Sequence, residues 1–158
     1  MAGCTNEVNG PAQQEGVFTL KNFSNTGCKP TAPSRGEENP DPEYLELKAV
    51  DNGGLYVIHA NILFNCIANR FEAHVSIDGQ TIIVSEVDLT EYEIKAPCKC
   101  PYDLSYEIGP LEEGKTYTIT VVTYDGQDKY NKNTVPDSRE TTFSFVYSPT
   151  LSMKKIIG

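Results

Sequence analysis

The chain has 158 residues, 39% of them hydrophobic and 22% charged, with a formal net charge of −9. That length supports one domain with a sizeable core rather than two. The acidic balance disfavours nucleic acid and anionic membrane surfaces as partners, and no stretch approaches the roughly 18 apolar residues a membrane-crossing helix needs. Abundant Tyr and Phe, no Trp, and short runs of Thr, Val and Ile favour strands over helices.

In chain order, Cys4 comes first, preceded by Ala2 and Gly3. A small-residue pair before a cysteine is what bacterial lipoprotein signals leave at their cleavage point, so Cys4 is the candidate lipidation site. Residues 1–16 are polar and contain Gly and Pro, and they read as a flexible tether. Alternation over Val17–Asn22 predicts an edge strand, with Cys28 pinning it to the body. Four prolines within residues 29–43 predict a loop.

From Tyr44 onward the period is two. Leu45, Leu47 and Ala49 form a half-buried strand, ended by the turn cluster Asp51-Asn52-Gly53-Gly54. In the long run that follows, Tyr56, Ile58, Ala60, Ile62, Phe64 and Cys66 share one parity; His59 and Asn61 share the other. Phe71 to Ile77, the hairpin signal Asp78-Gly79, and Thr81 to Val87 read as a β-hairpin. Further strands are expected over Glu91–Ala96, Tyr102–Ile108, Thr116–Val121 and Thr142–Tyr147. A long polar loop is expected from Asp125 to Glu140, and a C-terminal tail over 151–158. Seven to nine short strands at this spacing predict an all-β sandwich or barrel; one domain would span residues 17–150.

The stretch from Leu111 to Val121 selects the sandwich. Gly114 permits a tight turn, Leu111 plugs the core, and the Tyr117 hydroxyl would bond backbone a few residues upstream. This resembles the tyrosine corner of fibronectin type III and other immunoglobulin-like domains, and it implies an antiparallel immunoglobulin-like β-sandwich. With no Trp, and no cysteine in the strand that starts at Tyr117, a central inter-sheet disulfide of the antibody kind is excluded. A wider resemblance rests on FSNTGCK, HANILFNC and CKCPYDLSYEIGPLEEGKTYTI together with the AGC start. These pieces look like small exported lipoproteins of Bacteroidetes bacteria; the resemblance implies an outer-membrane or cell-surface location and brings no catalytic residues.

Four inner cysteines, Cys28, Cys66, Cys98 and Cys100, remain. No CxxC pair is present, so disulfides in an oxidising compartment are expected rather than metal or redox work. Cys98 and Cys100 sit two apart, and each would pair with one of Cys28 and Cys66; two arrangements stay open. A zinc site from His59, Cys66, Cys98 and Cys100 is the weaker alternative.

Candidate binding residues are His59 and Asn61 on one strand face, with His74 on a neighbouring strand, and Tyr124, Asp125 and Tyr130 in or beside the long loop. The acidic groups Glu37, Glu38, Asp41 and Glu43, and Glu86, Asp88, Glu91 and Glu93, read as solvated faces, with calcium between strand ends as the alternative. No GxSxG or HExxH motif occurs, and no cofactor is expected. These readings predict a non-enzymatic binding or adhesion module, membrane-attached only through a lipid anchor, with a protein or glycan partner outside the cytoplasm. The alternatives are a structural subunit of an envelope assembly, or a small hydrolase or protease inhibitor.

Overall fold

A computed structural model describes residues 17–29, 42–127 and 136–157. The tether 1–16 with Cys4, the acidic residues Glu37, Glu38 and Asp41, and Tyr130 lie outside the described residues. The described chain is all strand and turn: β1 (Thr19–Asn25), β2 (Glu43–Val50), β3 (Gly54–Asn65), β4 (Phe71–Asp78), β5 (Thr81–Asp88), β6 (Lys99–Gly109), β7 (Thr116–Tyr124), β8 (Ser138–Val146) and β9 (Ser152–Ile157). They form two sheets, of order β1-β6-β3-β2-β9 and β4-β5-β7-β8.

The sheets close on each other because most strands bury alternate residues. Leu45 and Leu47 of β2, Leu55 and Val57 of β3, and Tyr106 and Ile108 of β6 meet Ile82 and Val84 of β5, Ile119 and Val121 of β7, and Phe145 of β8. A second cluster, Ile62, Phe64, Phe71, Cys100, Tyr102 and Leu104, fills the other half. There the rings of Phe64, Phe71 and Tyr102 pack with centroids 4.7 to 5.6 Å apart.

The hairpin forms where expected. Asp78 pairs with Thr81 across Gly79, whose φ of 62° is easy for glycine. At the β6–β7 connection, the Glu112 amide donates to the Tyr117 hydroxyl at 2.9 Å, Leu111 is buried, and Gly114 holds φ 86°. The Tyr147 hydroxyl donates to the Gly54 carbonyl at 2.7 Å and closes the same end.

Several expectations are corrected. The β5–β7 pairing is parallel, whereas every other pairing between described strands is antiparallel. The expected tail over 151–158 is, in its described residues, a strand: β9 pairs with β2 from Lys48↔Ser152 to Glu43↔Ile157, and Met153 and Ile157 pack on the core. Glu91–Ala96 is not a strand. Tyr92 turns inward to hydrogen-bond Asp88, which leaves Ile94 64% exposed. The polar connection after β7 ends sooner than expected, because Arg139 and Glu140 already pair in β8.

The long β3 run does not keep one parity. Leu55, Val57 and His59 face inward at its start and Ile62 and Phe64 at its end. The register against β6 shifts between His59 and Ile62, and Asn61 carries φ 62°. Asn tolerates the left-handed region better than most side chains, so it hosts the bulge that flips the strand's inward face.

Candidate functional site

Three polar constellations stand out, all set by where period-two burial places a polar residue. The first lies between the sheets. On β5 the inward row Ile82, Val84 continues to Glu86, which is 0% exposed; on β3 the inward row Leu55, Val57 continues to His59, 2% exposed. His59 Nδ1 donates to Glu86 Oε1 at 2.6 Å, and Nε2 donates to Glu43 Oε2 at 2.6 Å. Glu86 also accepts from the Tyr106 hydroxyl at 2.7 Å and the Thr123 hydroxyl at 2.9 Å. At the surface, Arg139 Nη1 donates to Glu43 Oε1 at 3.0 Å.

Burial alone would push the His59 imidazole down, but the carboxylates of Glu86 and Glu43 outweigh it and raise its pKa to about 9. Burial works against the charged Glu43 carboxylate too, yet His59 and Arg139 carry its pKa below the usual value. Burial and the Glu86 carboxylate push the Tyr106 phenol well above its ordinary range. Two carboxylates thus face one imidazolium and one guanidinium, a balanced set whose hydrogen bonds span both sheets. His59 has both ring nitrogens occupied, so the group holds the layers in register rather than offering a base to a ligand.

This replaces the expectation that His59 and Asn61 share a half-exposed face. The bulge separates them, and His74 lies in the other sheet with its side chain 67% exposed. It also corrects the solvated reading of Glu86 and Asp88, both of which are buried. Their inward parity with Ile82 and Val84 was the available signal.

The second constellation surrounds the bulge. The Asn61 amide, freed from the ladder, donates to Asp103 Oδ1 at 3.0 Å. Lys29 Nζ lies 2.6 Å from Asn61 Oδ1 and 2.7 Å from Asp103 Oδ1. This ties the segment after β1 to β3 and β6. Cys28 is disulfide-bonded to Cys100 and Cys66 to Cys98, each with Cα atoms 5.6 Å apart, a separation suited to a bridge. The pairing left open by the sequence is thereby decided, and zinc loses its thiolates.

The third lies at the end of β5 and β7. Asp88 accepts from the Thr90 amide at 3.0 Å and the Tyr92 hydroxyl at 2.6 Å. Burial first, then Asp88, pushes the Tyr92 phenol well above its usual range. Gly126 closes over this pair: a Cβ there would meet the Tyr92 ring at 2.7 Å and Asp88 Oδ2 at 2.8 Å. A cleft of about 360 Å³ opens beside it, lined by Val87, Thr90, Tyr124, Asp125 and Pro136 among others. Of the candidate binding residues, Tyr124 and Asp125 therefore come together on one cleft, and His59 and Asn61 lie elsewhere. No group of three or more His, Cys, Asp and Glu residues suited to a metal ion occurs among the described residues.

The fold and these sites define a two-layer β protein cross-linked by disulfides. Compared with protein-family models, curated proteins and solved structures, the chain matches none.

Proposed function

We propose that the chain is a non-enzymatic binding or adhesion module that works outside the cytoplasm, anchored through Cys4 and presented on residues 1–16. The observation that carries this reading is the Tyr124–Asp125 cleft at the same end as both disulfides. A binding surface gains from a backbone ordered before the ligand arrives, and disulfides belong to oxidising compartments. A half-buried Tyr beside a carboxylate suits a sugar ring or a peptide strand. An immunoglobulin-like type is the fold reading we carry forward, supported by the Glu112–Tyr117 corner bond; the parallel β5–β7 pair is this chain's departure from it.

Binding of the full chain to a glycan array and to a panel of cell-surface proteins tests the reading. A hit should be lost in Tyr124→Ala and kept in His74→Ala, which sits on the far edge strand β4. Equal binding by the Tyr124 variant would remove the cleft from the function. Free thiols at Cys28, Cys66, Cys98 and Cys100 in protein taken from its native compartment would remove the location.

A second reading, a structural subunit of an envelope assembly, is favoured by β9. It is the outermost strand of its sheet, and Ile156 on it is 53% exposed. An added strand could pair there.

A further inference from the structure

The two outer faces of the molecule differ in charge. The outer face of the five-stranded sheet carries Glu46, Lys48, Asp103 and Lys154, with Lys48 3.7 Å from Glu46 and Lys154 4.2 Å from the centre of the Tyr44 ring. On the other sheet, the outward rows of β5, β7 and β8 run Ile83–Thr120–Thr142 and Thr81–Thr118–Ser144, without a charge. Charged carboxylates on that face return only at its margins, at Glu140 near the start of β8 and at Glu72 and Asp78 on β4, where His74 also lies.

We propose that this hydroxyl-rich face is a self-association surface, its occupant the same face of a second copy of the chain, related by a twofold axis. The reading does not depend on the Tyr124 cleft.

Three observations favour a second copy. The chain carries a net charge of −9, so two copies repel over most approaches; the uncharged rows let them meet without opposing like charges. Four of the five hydroxyls in these rows are already partnered within the face: Thr118 Oγ1 lies 2.9 Å from Ser144 Oγ, and Thr120 Oγ1 lies 2.8 Å from Thr142 Oγ1. Drying them leaves those hydrogen bonds in place, so the usual cost of burying polar groups is reduced. Finally, Ile83 and Val146 at 43% and 53% exposure supply apolar contact, and β-branched side chains lose little rotamer freedom on packing. Two such faces can stack at sheet spacing, about 10 Å apart. The three strands β5, β7 and β8, of eight or nine residues each, cover about 14 Å by 27 Å. That is below what most specific pairs bury, so the dimer is weak.

Sedimentation velocity of the full chain over roughly 1–500 µM, a range that reaches weak association, is the test. A Cys4→Ser background prevents adventitious cross-linking. Concentration-dependent dimer is expected, strengthened by salt as the mutual repulsion is screened. Thr120→Glu, at the centre of the face, should weaken it by at least about tenfold, because it buries an unpaired carboxylate. Lys48→Gln makes the same change in net charge on the opposite face and should leave the dimer intact. Should Thr120→Glu lose its native circular dichroism, Thr142→Glu on the outermost strand takes its place. A monomer throughout the range, or a dimer indifferent to both face variants, overturns the proposal.

Discussion

The two halves of the core are held by different physics. The half nearest the β6–β7 connection is largely aliphatic and is closed by tyrosine hydroxyls, Tyr117 against Glu112 and Tyr147 against Gly54. The other half is aromatic, with Phe64, Phe71 and Tyr102 in mutual contact, and is closed by covalent bonds. The bulge at Asn61 separates them, and the His59–Glu86 pair sits just on the aliphatic side of it. Hydrogen bonds to backbone fix one end without restricting the unfolded chain; disulfides act largely on the unfolded chain. The loop-bearing end, where the cleft lies, is the covalently fixed one.

Breaking the junction between the halves should have the largest effect. Glu86→Leu strands a buried imidazole and two hydroxyls, and should destabilise by about 3–5 kcal/mol in denaturant unfolding. A loss below about 1 kcal/mol would mean the pair contributes little beyond its own desolvation. The same network makes stability depend on pH. His59 has a folded pKa of about 9, above its ordinary 6.5, so its contribution is complete below pH 6.5 and is lost as pH rises through 9. Glu43, shifted downward from 4.5, contributes above that value and loses its contribution as pH falls through its lowered folded pKa. The melting temperature should therefore decline on the alkaline side between these His59 values, and His59→Gln should flatten that decline.

Next come the covalent ends. The Cys28–Cys100 bridge spans 72 residues and Cys66–Cys98 spans 32. Replacing either pair by Ser should cost about 2–4 kcal/mol, more for the longer span. Hydrogen exchange should then rise first around Phe64 and Tyr102 and least around Tyr117. Uniform loss across both halves would erase the distinction between them. The smallest effect belongs to the corner: Tyr117→Phe removes one acceptor and should lower stability by about 1–3 kcal/mol, with no change in exchange at the disulfide end.

Much of the fold was legible because period-two burial is written residue by residue. The rows Leu45–Leu47, Phe71–Ile77, Tyr102–Ile108 and Tyr117–Val121 all follow it. The candidate site was less legible. His59 and Glu86 each continue an apolar row, yet a polar residue in such a row looks like a strand end until its partner across the sheets is known. Glu91–Ala96 shows the opposite failure: alternation was present, but the Tyr92–Asp88 hydrogen bond turns Tyr92 inward and the segment forms no strand.

By itself the sequence determined the class: strands of alternate burial, a tight hairpin at Gly79, a tyrosine-bearing turn, and four cysteines placed to cross-link. Those are local properties of backbone and side-chain chemistry. Only the tertiary structure decided which cysteines meet, that β5 runs beside β7 in parallel, that Asn61 turns β3 over, and that His59 finds Glu86. Each of these depends on which strands become neighbours, and that choice is made by the packing of the two sheets together rather than by any one segment.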